Sequence, residues 1–125
     1  MPLSQQEAEK IITKIQDDFY EKWIAGDAKG LAAFYHPDAV LIEKGKSVAY
    51  GLEEIEKKYA KSLKSPMDFK LNFELTTPAA DGEYIIHRGT FVFAALPDKP
   101  APYAQIYKRT NDGQYLIIHD IFELP

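Results

Sequence analysis

Met67-Asp68-Phe69-Lys70-Leu71-Asn72-Phe73-Glu74-Leu75-Thr76 is the stretch at which the chain changes its spacing. Phe69, Leu71, Phe73 and Leu75 alternate with Asp68, Lys70, Asn72, Glu74 and Thr76. A period of two predicts a strand with one face buried and one face wet. Upstream of it the apolar residues recur mainly at helical spacing. Ser4 followed by Glu7 has the form of a capping box, and Ala8, Ile11, Ile12, Ile15, Phe19 and Trp23 then repeat at helical intervals up to Gly26, which predicts a long amphipathic first helix. Asp27 caps a second, short helix carrying Leu31, Phe34 and Tyr35, and His36-Pro37 stops it because proline disfavours helical geometry in the residue before it. Residues 39–42 read as a strand, 43–46 as a turn and 47–50 as a short return strand. Gly51 opens a third helix with Leu52, Ile55, Tyr59 and Leu63, and Pro66 ends it.

Downstream the spacing stays extended. Residues 83–96 form a long run with apolar side chains on both faces, which predicts a central strand, and Gly89 in its middle predicts a bulge or bend. A loop rich in proline spans 97–102. Strands over 103–109 and 114–124 then flank Asn111-Asp112-Gly113, a tight hairpin signal. Helices first and long antiparallel strands afterwards predict an α+β domain with its three helices, all from the N-terminal half, on one side of the sheet. A chain of 125 residues fits one domain, 1–125.

Composition narrows the chemistry. There is no cysteine, so disulfides, zinc–thiolate sites and thiol nucleophiles are excluded. A net charge of −4 with lysines scattered among acids supplies no basic stripe for phosphate backbones or anionic membranes, and neither nucleic acid nor membrane is an expected partner. The opening residues lack a basic region followed by an apolar run, so a cytoplasmic protein is expected. His36, His87 and His119 show no ligand spacing, and no Gly-rich phosphate loop, G-x-S-x-G elbow or dinucleotide fingerprint occurs. No metal and no cofactor are expected.

The run Trp23-Ile24-Ala25-Gly26-Asp27, then Leu31-Ala32, then Tyr35-His36-Pro37-Asp38-Ala39-Val40-Leu41 resembles the opening of the SnoaL-like branch of the nuclear transport factor 2-like superfamily. Tyr107-Lys108-Arg109 and the segment from Tyr115 to Phe122 resemble that branch's closing strand pair. The resemblance spans nearly the whole chain. It implies a cone-like curved antiparallel sheet wrapped around the helices, a ligand-binding pocket, and a homodimer formed through the sheet. Under it, Phe19, Tyr20, Trp23, Tyr35, His87, Tyr107 and Asp120 are candidate lining residues for a small, largely apolar ligand. Gly26-Asp27 and Asp38 read as capping and turn residues.

Two carboxylates are catalytic candidates. Leu116, Ile118, Phe122 and Leu124 share one face of the last strand by alternation, and Asp120 falls among them. A carboxylate there must be paired, sit in a polar pocket, or titrate above its ordinary range. His119 then faces the other way with Ile117 and Ile121, toward a subunit interface. Glu43 stands where the resembling steroid isomerases carry their general-base aspartate. Those isomerases also place an oxyanion-stabilising tyrosine eight residues before the Gly-Asp aspartate, where this chain has Phe19, with Tyr20 one position off. The sequence thus points to a homodimeric pocket protein. The alternatives are a cofactor-independent isomerase or cyclase using Asp120 or Glu43, and a protein-association module of the kinase association type.

Overall fold

The computed structural model describes residues 3–64 and 68–125. The expected helix stop at Pro66 and the first residue of the alternating stretch, Met67, lie outside the described residues. The first helix, α1, spans Gln5–Ile24 behind a complete capping box: the Ser4 side chain accepts from the Glu7 amide, and the Glu7 carboxylate accepts from the Ser4 amide. Gly26 follows its end at φ 71°, the left-handed conformation a helix stop requires. Asp27 caps α2, Ala28–Ala32, by accepting from the Gly30 amide at 2.8 Å.

This second helix is shorter than expected. Phe34 and Tyr35 lie beyond it, and Tyr35 already opens strand β1, Tyr35–Glu43. Its place is taken by pairing: the Phe34 carbonyl accepts from the Ile117 amide at 2.9 Å and Tyr35 registers with Ile117. The return strand β2, Ser47–Tyr50, and helix α3, Gly51–Ser62, fall where the sequence puts them. Strands β3 (Phe69–Ala79), β4 (Tyr84–Phe93), β5 (Ala101–Arg109) and β6 (Tyr115–Phe122) complete the chain.

The strands form one open, curved sheet in the order β2-β1-β6-β5-β4-β3. Four of the five pairings are antiparallel, but β1 runs parallel to β6. The sheet is therefore mixed rather than wholly antiparallel. The last strand inserts between β1 and β5, antiparallel to β5 across their hairpin and parallel to β1. The helices cover the concave face, where Ala8 and Ile12 of α1 and Ile55 of α3 join Tyr35, Leu41, Ile85, Tyr107 and Ile117 in the buried core.

Two bulges decide which residues point inward. On β3, Phe73 registers with Gly89 but Leu75 registers with Arg88, so Glu74 is an extra residue. The alternation expected from Phe69 to Leu75 breaks there. Leu75 turns to the outer face and is 36% exposed, while Thr76 turns inward beside His87 and is 4% exposed. Gly89 does mark the irregularity, although the extra residue lies on its partner strand. A Cβ at Gly89 would come within 2.2 Å of the Asn72 carbonyl oxygen, so only glycine permits this approach.

The second bulge is in β6, where Tyr107 registers with Ile117 and Ile106 with His119, leaving Ile118 as the extra residue. The expected face of Leu116, Ile118, Asp120, Phe122 and Leu124 is therefore not continuous. Leu116 registers with outward Lys108, and buried Ile117 takes the inner place, so His119 does not share its face with Ile117. Asp120 and Phe122 still point inward, opposite Gln105 and Tyr103.

Candidate functional site

Between α1, α3 and the concave sheet lies a cavity of about 310 Å³, within the range of sites that enclose small organic molecules. Its walls are aromatic and aliphatic: Phe19 and Trp23 from α1, Phe69 and Leu71 from β3, Phe91 and Phe93 from β4, and Leu41 and Phe122 from the other flank. T-shaped contacts hold these rings, with Trp23 5.5 Å from Phe69 and Phe19 5.9 Å from Tyr59. Exposed Ser62 and Leu124 lie at its mouth.

The floor is polar and buried. Asp120, 4% exposed, accepts through Oδ2 from the Tyr35 hydroxyl at 2.6 Å and from Gln105 Nε2 at 3.1 Å. Because Tyr35 spends its proton on the carboxylate, its 2.5 Å contact with the Tyr59 hydroxyl must run from Tyr59 to Tyr35. On the other side Gln16 Nε2 donates to Gln105 Oε1 and to the Tyr107 hydroxyl, each at 2.9 Å, and Tyr107 donates to Gln105 Oε1 at 2.6 Å. Both arms thus pass donors toward one carboxylate. Burial raises the Asp120 carboxyl to about 6, and the hydrogen bonds from Tyr35 and Gln105 hold it from rising further. The same burial pushes the phenols of Tyr35, Tyr59, Tyr103 and Tyr107 upward, with the nearby Asp120 charge adding to it.

No donor among the described residues reaches Asp120 Oδ1. Since among the described residues no buried side-chain oxygen is left without a partner, Oδ1 opens onto the cavity that Asp120 lines.

His87 stands one layer behind this floor. It is fully buried, 2.8 Å from Thr76 Oγ1 through Nδ1 and 2.7 Å from the Tyr103 hydroxyl through Nε2. Burial lowers it to about 4, partly opposed by a hydrogen bond to the Leu75 backbone, so the ring is neutral at pH 7. A neutral ring carries one N–H and one bare nitrogen, so it donates to one of Thr76 and Tyr103 and accepts from the other.

The seven lining candidates separate accordingly. Phe19, Trp23 and Asp120 line the cavity. Tyr35, His87 and Tyr107 form the layer beneath it, reaching the cavity only through Asp120, Tyr103 and Gln105. Tyr20 stands outside, packed on Phe69 with its hydroxyl on Asp68. Glu43 also lines the cavity but does not reach Asp120's network. Its carboxylate pairs with Lys58 at 2.8 Å and Lys46 at 3.7 Å, and its side chain is only 12% exposed. It is the anion of an ion pair rather than a residue of a solvated turn. Among the described residues no group of histidines and carboxylates is arranged to hold a metal, and no helix is long and apolar enough to cross a membrane.

Sequence reasoning missed Gln16, Tyr59 and Lys58 as site residues. For Gln16 a signal existed: it stands on the same helical stripe as Ile12, Phe19 and Trp23, a polar residue on an apolar face like Asp120. Tyr59 and Lys58 carried no such mark.

The fold recurs in solved structures. A protein assigned as a calcium/calmodulin-dependent protein kinase II association domain from Xanthomonas campestris is 22% identical, with 91% of this chain and 85% of that one covered at a TM-score of 0.77. A nuclear transport factor 2-like protein of unknown function from Shewanella oneidensis is 17% identical over 93% and 98% of the two chains, also at 0.77. A ketosteroid isomerase-like protein from Erwinia carotovora atroseptica is 16% identical over 91% and 93%, at 0.70. At these identities the likeness establishes the fold. No curated protein matches the sequence. The SnoaL-like domain model matches residues 17–117, most of the chain, which accordingly belongs to the SnoaL-like family of the nuclear transport factor 2-like superfamily.

Proposed function

We propose that this protein binds a small, largely apolar molecule in the cavity between α1, α3 and the concave sheet. One observation carries the reading: an aromatic-walled cavity ends on a buried carboxylate with an oxygen turned into it. Aromatic walls remove apolar surface from water, and a single polar group at the floor fixes orientation.

Thermal unfolding with a library of apolar and steroid-like compounds tests it. A true ligand at a hundred times its Kd stabilises by about 2.7 kcal/mol and raises Tm by roughly 10 °C. Leu71→Trp, which fills the cavity from β3, should abolish the shift. No stabilisation of the wild type, or equal stabilisation of the filled variant, would end the proposal.

A second copy is the expected partner, docking on the outer face of the sheet. Leu75 and Ile86 stand there 36% and 39% exposed, with Ile106 and Ile121 half-buried between. Sedimentation equilibrium checks this, and a monomer across the accessible concentration range would refute it.

A catalytic reading is favoured by the titration of Asp120 near 6, in the range of a general base. Asp120 would take a proton alpha to a carbonyl onto Oδ1 and return it to another carbon. Against it, the phenolic protons of Tyr35 and Tyr59 are already committed within the network, which leaves an enolate oxygen poorly served. Asp120→Asn separates the readings: turnover that survives the substitution eliminates Asp120 as the base.

A further inference from the structure

The floor of the cavity holds an anion without a cation. Among the described residues no ion pair includes Asp120, and the titratable groups facing it are all tyrosines: Tyr35 from β1, Tyr59 from α3, and Tyr103 and Tyr107 from β5. The nearby lysine of the cavity, Lys58, is taken by Glu43 and Ser47. A buried carboxylate in that position lacks the charge that ordinarily compensates it.

Hydrogen-bond bookkeeping points the same way. Asp120 Oδ1 accepts from nothing described, and Gln16 spends its amide hydrogens on Gln105 and Tyr107, leaving Oε1 to accept. Tyr59 donates to Tyr35, so it turns only lone pairs to the cavity. Gln105 keeps one amide hydrogen free to donate, its other being on Asp120. Three acceptors, Asp120 Oδ1, Gln16 Oε1 and the Tyr59 oxygen, select a ligand rich in N–H or O–H groups, and the uncompensated charge selects a cation among these. The walls suit a cation's apolar flank as well, since Phe19, Trp23, Phe91 and Phe93 surround the space with ring systems.

We propose that the cavity takes an organic ammonium, an aryl- or alkyl-amine whose N–H groups meet Asp120 Oδ1 and whose apolar body lies among the aromatic walls. This rests on the cavity being a binding site, the reading given above.

The test is a calorimetric comparison of three compounds on one skeleton: para-phenylbenzylamine, para-phenylbenzyl alcohol and the methyl ketone of biphenyl. The amine should bind at least about tenfold more tightly than either neutral compound at pH 7, a difference of about 1.4 kcal/mol. Its advantage should shrink toward pH 5 as Asp120 protonates, with no variant required. In Asp120→Asn the amine should fall to the affinity of the alcohol. If the alcohol or ketone binds as tightly as the amine in the wild type, the cavity still binds apolar molecules but the ammonium inference fails. If none of the three binds, the pocket reading fails and this inference falls with it.

Discussion

Replacing Asp120 with asparagine should remove a specific pH dependence from the stability of the fold. In the folded protein the carboxyl titrates near 6 instead of 3.8 because burial opposes its charge. An acid whose folded value is raised binds its proton more tightly in the native state. Its contribution is complete only below about pH 3, well under the unfolded value, and is lost as pH rises through about 6, the difference amounting to about 3 kcal/mol. Asparagine has nearly the same shape, can still accept from Tyr35, and does not titrate.

Urea unfolding of wild type and Asp120→Asn between pH 4 and pH 7.5 isolates the effect, because every other titrating group cancels in the difference. The wild type should lose about 2.5 kcal/mol relative to the variant across that interval, with the steepest change between pH 4 and pH 6. A difference that stays flat with pH would mean that Asp120 titrates normally, and the argument for a buried, uncompensated carboxylate would be wrong.

Tyr35→Phe removes the 2.6 Å donor to Asp120 Oδ2 and should move the Asp120 titration above 6, read by carbon-13 NMR of the carboxyl; an unchanged titration would contradict the assigned donor direction. The same variant should cost about 1–3 kcal/mol at pH 7 and less at pH 4, where the acid is protonated. Gly89→Ala pushes a methyl to 2.2 Å from the Asn72 carbonyl oxygen, so urea unfolding should show a loss of about 2 kcal/mol or more; a neutral substitution would mean that β3 and β4 are not held this close.

The cap at Ser4, the stop at Gly26 and the Asn111-Asp112-Gly113 hairpin were legible because each is decided by residues adjacent in sequence. The Asp120 anomaly was legible for a related reason, since a charge in an apolar strand demands compensation wherever that strand packs. Its face was right, yet the neighbours assigned to it were partly wrong, because the extra residue at Ile118 exchanges the inner and outer sets upstream of it. The same happened at Glu74, which sends Leu75 out and Thr76 in. A bulge is created by the register of the strand alongside, and alternation within one strand cannot reveal it.

By itself, then, the sequence determined the α+β class, most of the elements, the absence of thiol chemistry, and one carboxylate that had to be explained. Tertiary structure alone decided that β6 lies parallel to β1, that Tyr35, His87 and Tyr107 stand behind the cavity rather than in it, and that Glu43 is held by Lys58. It also assembled the floor, since Gln16, Tyr59, Gln105 and Asp120 come from four different elements and meet only when the sheet closes against the helices. Local preferences are set by a residue and its near neighbours, whereas the partners that set the charge and donor directions of Asp120 lie from 15 to 85 residues away along the chain.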